Sequence, residues 1–284
     1  MLAPTARVTD AKSPPAPRRL LRRVLESDPG QEYLVYVPRG VGERAPLLVT
    51  IHGTSRNAEQ HARLLSAYCD IHGAMLLAPV FSAEQFPDYQ RLGRQGRGRR
   101  ADLALNAVVA ECAAATGASA ERFLLFGYSG GAQFAHRYLM AHPHRVEAAV
   151  IAGCGWYTFP DPTRRFPFGT RMSRKLPEVH FDAEGFLSVP VTVMIGAEDD
   201  ERDAARRHDR LDREQGASRI ERARNWVAAM QAAAEARQLP SRVAFEEIAG
   251  CGHSFRRAVL RGGLGEKVFR ALFGAPPLAA AREG

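Results

Sequence analysis

Lysine is nearly absent from this chain. Only Lys12, Lys175 and Lys267 occur in 284 residues, so the net charge of +8 at pH 7 is carried by arginine. A basic excess can mark a nucleic-acid partner. Here the arginines are scattered and interleaved with acids, and no recognition module is present, so a coding bias is the reading and no nucleic-acid partner is expected. Cysteine is also scarce. Cys69, Cys112, Cys154 and Cys251 form no C-x-x-C pair, which argues against a zinc site, a redox motif or a dense disulfide framework. Cys154 and Cys251 both fall near strand ends, and a bond between those two stays open. No run of about 18 apolar residues marks a membrane span. The opening "MLAPTARVTDAKSPPAPRRLLRR" lacks the apolar stretch of a secretory signal. A soluble, cytoplasmic protein with no membrane partner is expected. No internal repeat is visible.

What is present is an ordinary globular composition, 45% hydrophobic and 25% charged. Residues 1–17 are rich in proline and polar groups and read as a flexible tail. "RRLLRRVL" and "EYLVYVP", separated by the turn signal "SDPGQ", read as an antiparallel hairpin. Further strands are expected at "LLVTIH", "AMLLAPV", "RFLLFG", "VEAAVIAG", "VPVTVMIG" and "RVAFEEI". Between them lie helical patterns over Asn57–His72, "ADLALNAVVAECAAA", "GAQFAHRYLMAHP" and "IERARNWVAAMQAAAEARQ", with a final helix from about Ser254 to Phe273. Strands alternating with helices imply a mostly parallel sheet covered on both faces. Two segments break the rhythm. Ser82–Arg100 is a long loop ending in the flexible arginine run "GRQGRGRR". Residues 154–188 are irregular and aromatic-rich.

The strand "FLLF" runs into "GYSGG", which matches G-x-S-x-G at Gly127, Ser129 and Gly131. Alone the match is weak. Three other strands end in similar turns: "HGTS" after "LLVTI", "GAEDD" after "VTVMI", and "AGCGHSF" after "AFEEI". In a parallel sheet these turns collect on one edge, beyond the carboxyl ends of the strands. The chain order is Ser129, then an acid near 199, then His253.

That order and context resemble the α/β-hydrolase fold over roughly residues 18 to 273. The "EYLVYVP" opening, the "HGTSRNAEQ" turn and the short aromatic insertion look most like bacterial esterases related to polyhydroxybutyrate depolymerases and feruloyl esterases. The resemblance implies a single α/β domain over 18–284. Its central sheet would have about eight strands, an antiparallel N-terminal hairpin, helices on both faces and a cap-like insertion at 154–188. It implies Ser129 as nucleophile, His253 as general base and acid, and Asp199 as the orienting carboxylate. The family's G-x-x-D spacing from Gly196 selects Asp199 among Glu198, Asp200, Glu201 and Asp203; Asp200 is the main alternative and Asp161 an outlying one. The backbone N–H groups of Gly130 and Thr54 would form the oxyanion hole.

The implied reaction is hydrolysis of carboxylic esters, small or polymeric, through an acyl-enzyme, with no cofactor and no metal. Amide hydrolysis by the same residues is the alternative within enzymes. A non-catalytic interaction protein of the same fold is the alternative outside them. His52 is expected to shape the oxyanion loop, and His136, His142 and His144 to be structural or exposed. Tyr128, Trp156, Tyr157 and Phe159 are the candidate pocket residues, on the reading that the insertion caps an apolar site. The arginine run from Arg91 to Arg100 is read as a solvated loop, with anion binding as the sharper alternative.

Overall fold

A hairpin of two strands opens the fold. β1 (Arg19–Leu25) and β2 (Asp28–Val37) pair antiparallel. The computed structural model describes residues 19–199 and 209–274. The tail expected over 1–17 and the candidate acids Asp200, Glu201 and Asp203 lie outside them. The hairpin turn is Glu26–Ser27, not the predicted "SDPGQ"; Asp28 to Gln31 belong to β2. A register shift between Val24 and Leu25 adds local twist, which lets two residues close the hairpin.

Six more strands follow: β3 (Pro46–Ile51), β4 (Met75–Val80), β5 (Ser119–Tyr128), β6 (Val146–Ala152), β7 (Val191–Gly196) and β8 (Val243–Ile248). The sheet order is β1-β2-β4-β3-β5-β6-β7-β8. β2 runs antiparallel to β4, and every pair from β4 through β8 is parallel. The expected eight-stranded, mostly parallel sheet is therefore present.

Strand alternation divides the apolar residues between two cores. Leu47, Val49, Ile51, Phe123 and Leu125 face one side, where they meet α2 (Ala101–Thr116), α3 (Gly130–Ala141) and α6 (Arg219–Glu235). Leu48, Leu124 and Phe126 face the other, against α1 (Ala58–His72), α7 (Phe255–Arg261) and α8 (Leu264–Phe273). The single final helix predicted from Ser254 is thus two helices. Gly262 and Gly263 separate them, and Gly263 takes the left-handed φ of +67° that a continuous helix cannot contain. No helix among the described residues is long and apolar enough to cross a membrane.

Both irregular segments are tied down by side chains. In the arginine run, Arg91 and Arg94 ion-pair with Asp88, Arg99 with Asp28, and Arg100 with Asp102 and Glu178. Burial works to raise the Asp88 carboxyl, but hydrogen bonds from Arg94 and Arg91 outweigh it and hold it below its usual value. These pairs make Arg91, Arg94 and Arg100 internal counter-ions, while residues 95–99 are exposed, in keeping with the solvated-loop reading. In the aromatic insertion, Tyr157 stacks on Trp226 at 5.0 Å, and Trp226 Nε1 donates to Thr158 O at 2.7 Å. The Thr158 N–H in turn donates to His136 Nε2 at 2.9 Å. Within the insertion only α4 (Ala183–Leu187) is helical; α5 (Asp209–Gln215) follows β7 and precedes α6. All four cysteines are free and buried. Cys154 lies in the first core and Cys251 in the second, on opposite faces of the sheet, so no bond joins them.

Candidate active site

β5 ends at Tyr128 and α3 begins at Gly130, so one residue turns the chain. Ser129 does it with φ 55° and ψ −115°, a region costly for any residue with a side chain. Its N–H donates to Ala152 O at 2.9 Å, and its carbonyl accepts from Gln133 N at 3.1 Å. A Cβ on Gly131 would collide with the carbonyl of Ile51, and one on Gly127 with the carbonyl of Gly131. The absence of both side chains lets β3, β5 and α3 close around the turn.

The strand ends do collect on one edge. Ser129 Oγ lies 2.9 Å from His253 Nε2, and His253 Nδ1 lies 2.7 Å from Asp199 Oδ2. A carboxylate only accepts, so the proton sits on Nδ1; Nε2 is then free to accept from the Ser129 hydroxyl. Asp199 is 1% exposed and His253 29% exposed at the side chain. The acid end of this chain is sealed while the serine end is open. The alternative acid Asp161 is elsewhere: its Oδ1 accepts from Thr163 N and Oγ1 within the insertion.

Around Ser129 the walls are narrow. A Cβ on Gly53 would stand 3.5 Å from Ser129 Cβ, and one on Gly130 3.0 Å from Thr54 Cγ2. The β3 turn and the start of α3 therefore face each other across the serine. Gly130 opens α3, where the first N–H groups have no partner within the helix and the helix dipole is positive. The Gly130 Cα also faces Gln90 Nε2 and Tyr89 Oη, each 2.6 Å from where its Cβ would be.

His52 is fully buried and braces this loop. Its Nε2 accepts from the Phe81 N–H at 3.0 Å, and its Nδ1 donates to Gly53 O at 2.9 Å. Burial pushes its pKa down to about 4, so it is a neutral strut, as expected. His136 is likewise buried and bonded to backbone. His142 Nε2 meets Asp102 at 2.9 Å.

The four pocket candidates divide. Tyr128 is buried with its ring 5.6 Å from that of His253, forming a floor beneath it. Trp156 keeps partial exposure and is held by cation–π contacts from Arg137 at 4.1 Å and Arg91 at 5.5 Å. Phe159 is partly buried against the first core. Tyr157 is fully buried against Trp226, so it offers no surface to a ligand. An apolar pocket built on Tyr157 is corrected: packing against α6 takes that ring inward. Gln90, Tyr89 and Arg219 are residues near the site that the sequence did not point to. No motif marks Gln90 or Tyr89, and the contact of Arg219 with Asp199 spans 20 residues with no local pattern.

No protein-family model matches the sequence, and no curated protein matches it by sequence. Solved structures do match. The poly(3-hydroxybutyrate) depolymerase LpqC from Bordetella parapertussis is 27% identical with a TM-score of 0.74, covering 92% of each chain. Poly(aspartic acid) hydrolase-1 from Sphingomonas sp. KT-1 is 23% identical with a TM-score of 0.71, covering 84% of this chain and 93% of its own. The fluorophosphonate-binding serine hydrolase F of Staphylococcus aureus is 13% identical with a TM-score of 0.56, covering 92% and 99%. The chain has the α/β-hydrolase fold, and its structural neighbours are esterases, depolymerases and serine hydrolases.

Proposed function

We propose that this protein is a serine hydrolase that cleaves carboxylic esters through an acyl-enzyme on Ser129. The observation that carries the reading is the continuous hydrogen-bond chain from Ser129 Oγ through the His253 ring to Asp199, at the strained turn between β5 and α3. A serine hydroxyl needs a base to become a competent nucleophile. His253 Nε2 accepts its proton as Oγ attacks the ester carbonyl carbon. Asp199 holds the ring in the required tautomer and stabilises the imidazolium. The carbonyl oxygen becomes an oxyanion facing the N–H groups of Gly130 and Thr54. Losing one such donor typically costs about 10²–10³ in rate. Collapse expels the alcohol, which takes the proton from His253. Water then repeats the sequence, with His253 as base, and releases the acid.

The likeness to a poly(3-hydroxybutyrate) depolymerase supports an ester as the bond cleaved. The partial exposure of Trp156 and His253 suits access by a bulky or polymeric substrate as well as a small one. Steady-state hydrolysis of a short p-nitrophenyl ester tests the reading. Ser129→Ala is expected to abolish turnover while leaving the fold intact, and unchanged turnover would refute the assignment. A matched anilide in the same assay separates amide from ester cleavage.

A further inference from the structure

Asp199 has a second partner. While Oδ2 accepts from His253, Oδ1 accepts from Arg219 Nη1 at 2.8 Å. Arg219 is the first residue of α6, one place after the Ser218 cap. That is the positive end of the helix, where a cation is disfavoured, so helix formation does not explain an arginine there. Nor is it a surface ion pair, because the side chains are 17% and 1% exposed.

We propose that Arg219 is a positioning residue for this site, holding the Asp199 carboxylate so that Oδ2 faces His253 and supplying the counter-charge that the buried carboxylate needs. Resting on the function proposed above, the inference adds a fourth member to its hydrogen-bond chain. The physical reasons are two. A carboxylate anchored at one oxygen only can rotate, and the ring it orients rotates with it. A carboxylate buried with a neutral imidazole alone is an uncompensated charge, which is costly.

The test measures kcat and KM for p-nitrophenyl ester hydrolysis from about pH 5 to about pH 9, with thermal midpoints recorded in parallel. Wild type is compared with Arg219→Met, Arg219→Gln, Arg219→Lys and Ser129→Ala. In Arg219→Met, kcat is expected to fall about tenfold to a hundredfold with little change in KM. Arg219→Gln, which keeps a donor without the charge, should lower kcat likewise across that range, and Arg219→Lys should return most of it. Should Arg219→Met fail to fold, the Gln and Lys pair decides alone. Folded Met and Gln variants with unchanged kcat overturn the positioning role. Ser129→Ala that turns over like wild type overturns the underlying nucleophile assignment instead, so the two failures are distinguishable.

Discussion

Ser129 occupies a backbone conformation that glycine would adopt more readily. At φ 55° and ψ −115° the strain on a residue with a Cβ is on the order of 1–3 kcal/mol. The fold sustains it through the Ala152 bond at 2.9 Å and the close approach of Gly131 to the end of β3. Function gives a reason for it, since the turn leaves Oγ exposed and aimed at His253. The two truncations of Ser129 should therefore differ. Ser129→Ala keeps the strain and Ser129→Gly relieves it, so urea unfolding should find the glycine variant more stable than the alanine variant by about 1 kcal/mol. Both should be inactive. Equal stability, or a less stable glycine variant, would mean that the turn is not strained. Serine, histidine and acid were legible in the sequence because each follows an apolar strand and carries glycine beside it. Arg219 was not, because an ion pair between the start of one helix and a strand-end turn leaves no periodic or motif signal.

Helix α3 and the strands beside it depend on backbone contact. Gly131 lies against the carbonyls of Ile51 and His52 at the end of β3. A methyl there cannot be accommodated by a side-chain rotation, since the obstructing atoms are main chain. Gly131→Ala should destabilise the protein by roughly 2 kcal/mol or more and weaken ester turnover in whatever folds, because α3 and the β3 turn must separate. A circular-dichroism melt with a parallel rate measurement checks this; an alanine variant of native stability and rate would contradict the packing account. Strand and helix identities were readable at this scale because "LLVTI" and "FLLF" are near-continuous apolar runs, as strands buried on both faces require, and Asn57–His72 carries apolar residues at helical spacing. The insertion was misread at Tyr157 for a definite reason. Composition shows that aromatics are present but not which way they point. Direction comes from Trp226 on α6 and His136 on α3, far away in sequence. The ion pairs of the arginine run were hidden similarly, because the partners Asp28, Asp88 and Asp102 are spread along the chain.

Among the described residues of the whole molecule, three neutral histidines are sealed inside the sheet and its helices. Burial pushes His52 to about 4 and His61 to about 3, and holds His136 well below the ordinary value. In the unfolded chain each titrates near the ordinary imidazole value of about 6.5, so the unfolded state binds more protons at mildly acid pH. Their contribution to stability is full above about pH 6.5 and is lost as pH falls toward the folded values. For His52 alone the loss by about pH 4 is about 3 kcal/mol, a large share of a typical domain stability of about 5–15 kcal/mol. The Asp88 and Asp102 carboxyls, held low by arginine and histidine partners despite burial, give way only below the usual carboxylate range. Urea midpoints should therefore be flat above about pH 7 and fall steeply between about pH 6.5 and 4; a midpoint constant to pH 4 would contradict the neutral-histidine account. The same fold that buries these rings leaves Ser129 and His253 reachable at one edge. The most direct test of that claim is an intact-mass measurement after treatment with a fluorophosphonate probe. The account predicts one adduct on the wild-type chain, mapped to Ser129, and none on Ser129→Ala. A folded wild-type protein that takes no label, or a Ser129→Ala chain that labels equally, would contradict it.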